Sequence, residues 1–246
     1  MSLSKVKCLT ASIAAALVLA GCSTSPVVEQ GEAAEERDII LDMRGNEPFW
    51  RAEVGATEVY LQRMGEPEVR YAISHKPSSA AVRQVYQLQA VNADGSALLT
   101  VDQMLCHDSM SGMPYPQQVL WSTEQGEVLR GCAGHPSALL VGSEWQITAL
   151  QDVAVAADIN ATIQFDETGA VFGSSGCNRF TGSYELTGEN LQFSQFASTR
   201  MACAQAHMQF EDQLLSKFAE VTGFTFDDAG YLQILLSDGG SISARR

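Results

Sequence analysis

Basic side chains are scarce in this chain. Lys and Arg number 15 against 29 Asp and Glu, giving a formal charge of -14 over 246 residues. A surface of that sign repels phosphate backbones, which argues against nucleic acid as a partner and favours basic ones. Long apolar runs are scarce too. Ile13 to Ala20 falls short of the ~20 residues that a bilayer-spanning helix needs. With 46% hydrophobic and 18% charged residues, the composition is globular and excludes wholesale disorder, collagen-like and polytopic membrane classes. Catalytic signatures are missing as well. Gly173-Ser174-Ser175-Gly176 has the wrong spacing for a nucleophile elbow, and there is no phosphate loop after a strand and no EF-hand. No cofactor and no metal site is implied, and the chain reads as non-catalytic.

The start of the chain reads as an export signal. Lys5 and Lys7 precede the apolar run, and no acidic residue occurs before Glu29. The run ends Leu19-Ala20-Gly21-Cys22, which resembles the bacterial lipobox. Residues 1–21 are then a lipoprotein signal peptide, and the Cys22 thiol receives diacylglycerol, with acyl chains such as palmitate, and becomes the new N-terminus. Each buried CH2 of those chains contributes about 0.8 kcal/mol, so a multi-chain anchor is effectively permanent. Ser23 rather than Asp after the cysteine points to the outer membrane, facing the periplasm. The membrane is thus a partner through the lipid anchor. Loss of Lys5 and Lys7 takes the formal charge from -14 to -16. Four cysteines remain beyond Cys22: Cys106, Cys132, Cys177 and Cys203. An even number in an oxidising compartment favours disulfides.

Residues 22–41 read as an acidic flexible tether, with too little apolar surface to order itself. Over 42–136 the pattern is mostly period two. Val69, Tyr71 and Ile73 alternate with polar or small residues, as do Tyr86, Leu88 and Ala90. Asn92-Ala93-Asp94-Gly95 supplies a turn before Leu99 and Val101, and Val119 and Trp121 precede another turn near Gln125-Gly126. Short strands with turns at this spacing predict a small antiparallel β domain, barrel-like and without a helix. Over 138–246 strands are expected at Trp145–Ala149, Ala161–Phe165, Ala170–Phe172, Thr181–Leu186 and Leu191–Phe193. The period then changes. Phe210, Leu214, Leu215, Phe218 and Val221 fall at helical spacing, which predicts a helix over 204–221 with Gly223 as its stop. Leu232–Leu236 and a last short strand follow the helix. Strands, one helix, then strands is an α+β order.

Motifs in the second half carry a resemblance. Gly176-Cys177-Asn178-Arg179-Phe180-Thr181-Gly182 with Tyr184, then Thr199-Arg200-Met201-Ala202-Cys203, with Trp145 and Glu211, resembles the META domain family, the HslJ-like heat-shock lipoproteins. The resemblance implies a compact α+β domain on a secreted lipoprotein, linked to stress and antibiotic tolerance, with no established catalytic mechanism. The first half, through Gly45-Asn46-Glu47-Pro48-Phe49-Trp50, Cys106-His107-Asp108-Ser109-Met110-Ser111 and Leu129-Arg130-Gly131-Cys132, is similar to an uncharacterised family of bacterial lipoprotein β domains. That likeness implies one disulfide and no assigned activity.

Each cysteine pair falls within one expected domain, so the expected disulfides are Cys106–Cys132 and Cys177–Cys203. The loop Cys106–Pro116 is the expected interaction surface. It gathers His107, Asp108, Met110, Ser111, Met113 and Tyr115 between turn-forming residues, and Met and Tyr supply contact area without a full charge to desolvate. Closure of the barrel by the same loop is the plainer reading. A zinc site from Cys106, His107, Cys132 and His135 lacks the usual ligand spacing. A serine triad from His107, Asp108 and Ser109 or Ser111 has its members bunched on one loop, and Met104, Met110 and Met113 with His107 are copper-type ligands only if they converge. Ser111-Gly112-Met113-Pro114-Tyr115 also fits the Ser-Gly-x-x-Tyr pattern of periplasmic lysozyme inhibitors, and a negative chain attracts a cationic lysozyme. The expected function is therefore a non-catalytic envelope lipoprotein that acts in stress or antibiotic tolerance by binding a protein or envelope component, with the charge favouring a basic one. Inhibition of a lysozyme-type hydrolase is the alternative.

Overall fold

The computed structural model describes residues 37–91 and 94–246. The signal peptide over 1–21, Cys22 and most of the tether lie outside the described residues, as do Asn92 and Ala93 of the expected hairpin turn. The first strands are β1 (Leu41–Asn46), β2 (Phe49–Val54), β3 (Glu58–Arg63), β4 (Val69–His75), β5 (Arg83–Ala90) and β6 (Ser96–Asp102). A two-stranded ribbon follows, β7 (Cys106–His107) with β8 (Pro114–Tyr115), and then β9 (Gln117–Thr123) and β10 (Val128–Ala133). All except the ribbon join one closed antiparallel barrel in the order β1-β10-β9-β6-β5-β4-β3-β2, with β2 returning to β1.

The period-two alternation sets which side chains fill the barrel. Ala52, Val54, Leu61, Leu99, Val101 and Trp121 point inward and are buried, as expected for an eight-stranded barrel whose interior is just wide enough for side chains. Tyr71 meets Trp121 edge-on at 4.9 Å. Trp50 closes the wall. Its Nε1 donates to Arg130 O at 3.2 Å, and its indole occupies the space where a Cβ at Gly45 or Gly131 would sit. Glycine at those two positions is a consequence of that close approach.

After a short 3-10 turn, Pro136–Leu139, the second half builds β11 (Glu144–Leu150), β12 (Val153–Ala154), β13 (Ala161–Phe165), β14 (Ala170–Ser175), β15 (Arg179–Leu186), β16 (Leu191–Phe193) and β17 (Ala197–Ser198). The helix α1 (Gln205–Phe218) precedes β18 (Val221–Phe226), β19 (Leu232–Leu236) and β20 (Ser241–Arg245). The main path of this antiparallel sheet runs β16-β15-β14-β13-β11-β20-β19-β18, and its end strands approach each other, so it is nearly closed.

Two expectations need correction. With two such β structures and one helix, the described chain is mostly β rather than α+β. The helix also stops earlier than its apolar spacing implied. The N–H of Glu220 bonds Lys217 O, after which Val221 pairs with Leu236. Gly223 lies inside β18, where the register shifts, and ends no helix. Val221 continued the helical spacing because it is buried too, as a strand residue. Phe218 anchors the helix among Phe180, Phe193 and Phe196, with ring centroids 5.2, 5.5 and 4.7 Å away.

Among the described residues there are two apolar cores. The barrel interior is one. The other fills the second sheet and also takes in Cys106, Met113, Tyr115 and Cys132 from the first half. Residues 37–246 accordingly form one compact unit. Among the described residues no helix is long and apolar enough to cross a membrane.

Candidate functional site

Both expected disulfides are present. Cys106–Cys132 and Cys177–Cys203 have Cα–Cα distances of 5.6 and 5.9 Å, and each joins residues 26 apart. The first ties the ribbon to β10. The second ties the loop after β14 to the segment before α1.

The loop between Cys106 and Pro116 is not a free surface. Met113 and Tyr115 are 3% and 1% exposed and belong to the core of the second half, which corrects their expected role as an exposed contact patch. Met113, just before β8, and Tyr115 on it pack into the core of the neighbouring sheet together with Cys106 and Cys132. His107 Nε2 lies 3.3 Å from Thr225 Oγ1 on β18, and Ser111 Oγ donates to Gly188 O at 3.0 Å. Both contacts cross to the second half. Met110 alone of the apolar loop residues stays open, at 69% exposure.

Asp108 organises the loop. Its Oδ1 accepts from the N–H groups of Met110 and Ser111 and from Ser111 Oγ, and its Oδ2 accepts from Asn46 Nδ2 at 2.9 Å. Partial burial pushes the carboxyl up, but the hydrogen bonds from Ser111, Asn46 and Met110 outweigh it and hold the group below its ordinary value. His107 and Asp108 thus face different partners, so no relay to Ser109 or Ser111 forms. The sulfurs of Cys106 and Cys132 are bonded to each other, and Met113 is buried while Met104 and Met110 are exposed, so neither a Cys2His2 nor a methionine ligand set converges. Among the described residues no group of three or more His, Cys, Asp and Glu is placed to hold a metal ion.

What the docked ribbon leaves open is a cleft at the joint. Hollows of about 310, 600 and 290 Å³ all open onto Arg44, on β1. The largest lies between the barrel and the Thr187–Asn190 turn that links β15 to β16. Arg44 pairs with Asp42 at 3.0 Å and lies over the Tyr115 ring at 5.5 Å. Phe49, which faces Asn46 across the β1–β2 hairpin, is 46% exposed at the cleft wall. Sequence patterning missed Arg44 as a cleft residue. The alternation of Leu41 and Met43, then of Trp50, Ala52 and Val54, around the Asn46–Pro48 turn was the signal for the hairpin that carries it.

The motif residues of the second half do a different job. Glu211, on α1 and 8% exposed, accepts from Ser175 Oγ at 2.7 Å, Asn178 N at 3.1 Å and Asn178 Nδ2 at 3.0 Å. Asn178 Oδ1 in turn accepts from Thr199 Oγ1 and Met201 N, at 2.8 and 2.7 Å. A buried carboxylate is tolerable because each oxygen is hydrogen-bonded. The network fastens the helix, the Cys177 loop and the segment leading to Cys203 into one piece.

No curated protein matches the chain. A solved NMR structure of a protein from Burkholderia xenovorans is 29% identical, covering 45% of this chain and 85% of that one, with a TM-score of 0.38. A second NMR structure is 23% identical, covering 44% and 92%, with a TM-score of 0.36. The second half, with its fastened helix, its Asn178–Glu211 network and its nearly closed sheet, matches a known family model: residues 138–245 are similar to the META domain.

Proposed function

We propose that this chain is a non-catalytic, lipid-anchored envelope protein that acts in envelope stress or antibiotic tolerance by binding an envelope component in the cleft at Arg44. The META domain supports an envelope-associated, lipoprotein-like role. The lipobox ending in Cys22 supports the anchor and the outer-membrane address. The observation that carries the site is the convergence of three hollows on Arg44, two of them with walls drawn from both halves of the chain and the third lined by the first half alone. A cleft built from two docked domains is a common place for ligands. Lysozyme inhibition through Ser111–Tyr115 loses its support, because Tyr115 is buried and Ser111 is engaged with Gly188.

The test uses a host strain lacking the chain. Glu189 is exposed on the cleft turn, and among the described residues its carboxylate has no ion-pair partner, so Glu189→Trp fills the cleft at little structural cost. The parent gene is expected to restore tolerance of envelope-active antibiotics, and Glu189→Trp at equal abundance and melting temperature is expected to fail. Full restoration by Glu189→Trp would remove the cleft from the function. For the anchor, Cys22→Ser should abolish acyl labelling and release the protein from the membrane fraction.

A further inference from the structure

The geometry points to an uncharged glycan bearing acetamido groups as the ligand of the Arg44 cleft, an inference that rests on the cleft reading above and names its ligand. Three observations carry it. The first is an unpartnered aromatic platform. Phe49 is 46% exposed on the wall of a hollow of about 600 Å³ and, among the described residues, makes no ring–ring contact with another aromatic side chain. Met110, 69% exposed, lines the same hollow. A ring face and a thioether offer an apolar bed to the C–H face of a pyranose and to an acetamido methyl.

The second is an alternation of donors and acceptors. Asp108 Oδ2 takes one hydrogen bond, from Asn46 Nδ2, and retains a free lone pair. Among the described residues nothing donates to Asn46 Oδ1 and nothing accepts from Asn190 Nδ2, while Asn190 Oδ1 is engaged with Thr187. Sugar hydroxyls both donate and accept, and an acetamido group presents one N–H and one carbonyl. Carboxylate and amide acceptors beside amide and guanidinium donors answer that pattern.

The third is the charge balance. Arg44 is paired with Asp42, and the same hollow is lined by Asp108 and Glu189, so no net cation is left to capture a phosphate or another anion. The barrel is closed and offers no free strand edge, so an extended peptide cannot dock there by strand addition. An uncharged polar ligand with apolar faces remains.

The probes are chitotetraose and cellotetraose, which differ in the acetamido group. Each is titrated calorimetrically into the full chain in detergent micelles. Chitotetraose is expected to bind saturably, and at least about tenfold more tightly than cellotetraose. Phe49→Ala should weaken chitotetraose by about tenfold with unchanged melting, since an exposed platform adds to binding and little to packing. Glu189→Trp should abolish binding and serves as the second variant. Absence of saturable binding, equal affinity for the two tetraoses, or binding that survives both variants would overturn the inference. Failure here together with failed complementation by Glu189→Trp would leave the cleft reading standing and remove only the glycan. Full complementation by Glu189→Trp would remove the cleft reading itself.

Discussion

The two halves of this protein enclose their cores in different ways. The barrel needs nothing from outside, because its eight strands close on themselves and their inward side chains fill it. The META sheet is nearly closed and is completed by α1 on one hand and by Cys106, Met113, Tyr115 and Cys132 of the barrel half on the other. A small closed barrel has no unpaired edge and no open mouth large enough to need a plug. A sheet that stops short of closure leaves apolar surface that another element must cover. The second half therefore depends on the first, while the first need not depend on the second.

The two disulfides expose this asymmetry most strongly. Both join residues 26 apart, so the chain-entropy model assigns each about 3.5 kcal/mol. Only Cys106 and Cys132 belong to the shared core. Replacing that pair by serine is expected to cost about 1–3 kcal/mol more than replacing Cys177 and Cys203, because both of its hydroxyls are then buried, whereas in the other pair Cys177 is buried and Cys203 only half-buried. Equal losses in denaturant unfolding would refute the shared-core account.

Tyr115→Ala comes next. At 1% exposure it should cost about 3–5 kcal/mol, as large-to-small changes in packed cores do. Hydrogen exchange should place the loss in the META sheet and leave the barrel strands protected. Uniform loss across both halves would mean that the barrel depends on the joint as well.

Glu211→Ala probes a contact internal to the META half. It removes the acceptor shared by Ser175 Oγ, Asn178 N and Asn178 Nδ2, while Ser175 Oγ keeps Asn178 O and Asn178 N keeps Ser175 Oγ, and a cost of about 1–3 kcal/mol is expected, with exchange rising around α1 and the Cys177 loop. A change confined to the ribbon would contradict the network described above.

The smallest effect is electrostatic. The Asp108 carboxyl is held below its ordinary value of 3.8, so its contribution is fully present above that pH and is lost as pH falls through the lower folded value. The stability difference between the parent and Asp108→Ala should thus be constant from neutral pH to about 4 and shrink below it. A difference that grows on acidification would show that the carboxyl is not held as the anion.

Much of this was legible in the sequence, for identifiable reasons. Alternation at Val69–Ile73, Tyr86–Ala90 and Val119–Trp121 placed strands, since period two is a local consequence of the pleat. The cysteine pairs followed from domain grouping, and Cys177-Asn178 with Thr199–Cys203 and Glu211 marked the META half. The strand Val221–Phe226 was obscured because a buried strand and the end of an amphipathic helix put apolar residues at overlapping positions. The strands Leu41–Asn46 and Glu58–Arg63 each have only two buried positions, Met43 and Gly45 in one and Val59 and Leu61 in the other, so their alternation has little length over which to show.

The fate of the ribbon lay beyond the sequence. Met110, Met113 and Tyr115 are three apolar or aromatic residues on one loop, and nothing local separates the one that stays in solvent from the two that are buried. Local chemistry determined the strands, the turns, the disulfide partners and the glycines that make room for Trp50. Only the packing of a nearly closed sheet against a ribbon from the other half decided that Tyr115 is core and that Arg44, Phe49 and Asp108 share one cleft. Those residues come from separate strands and loops, and what joins them is burial of apolar surface between domains, a non-directional force that leaves no periodic trace along the chain.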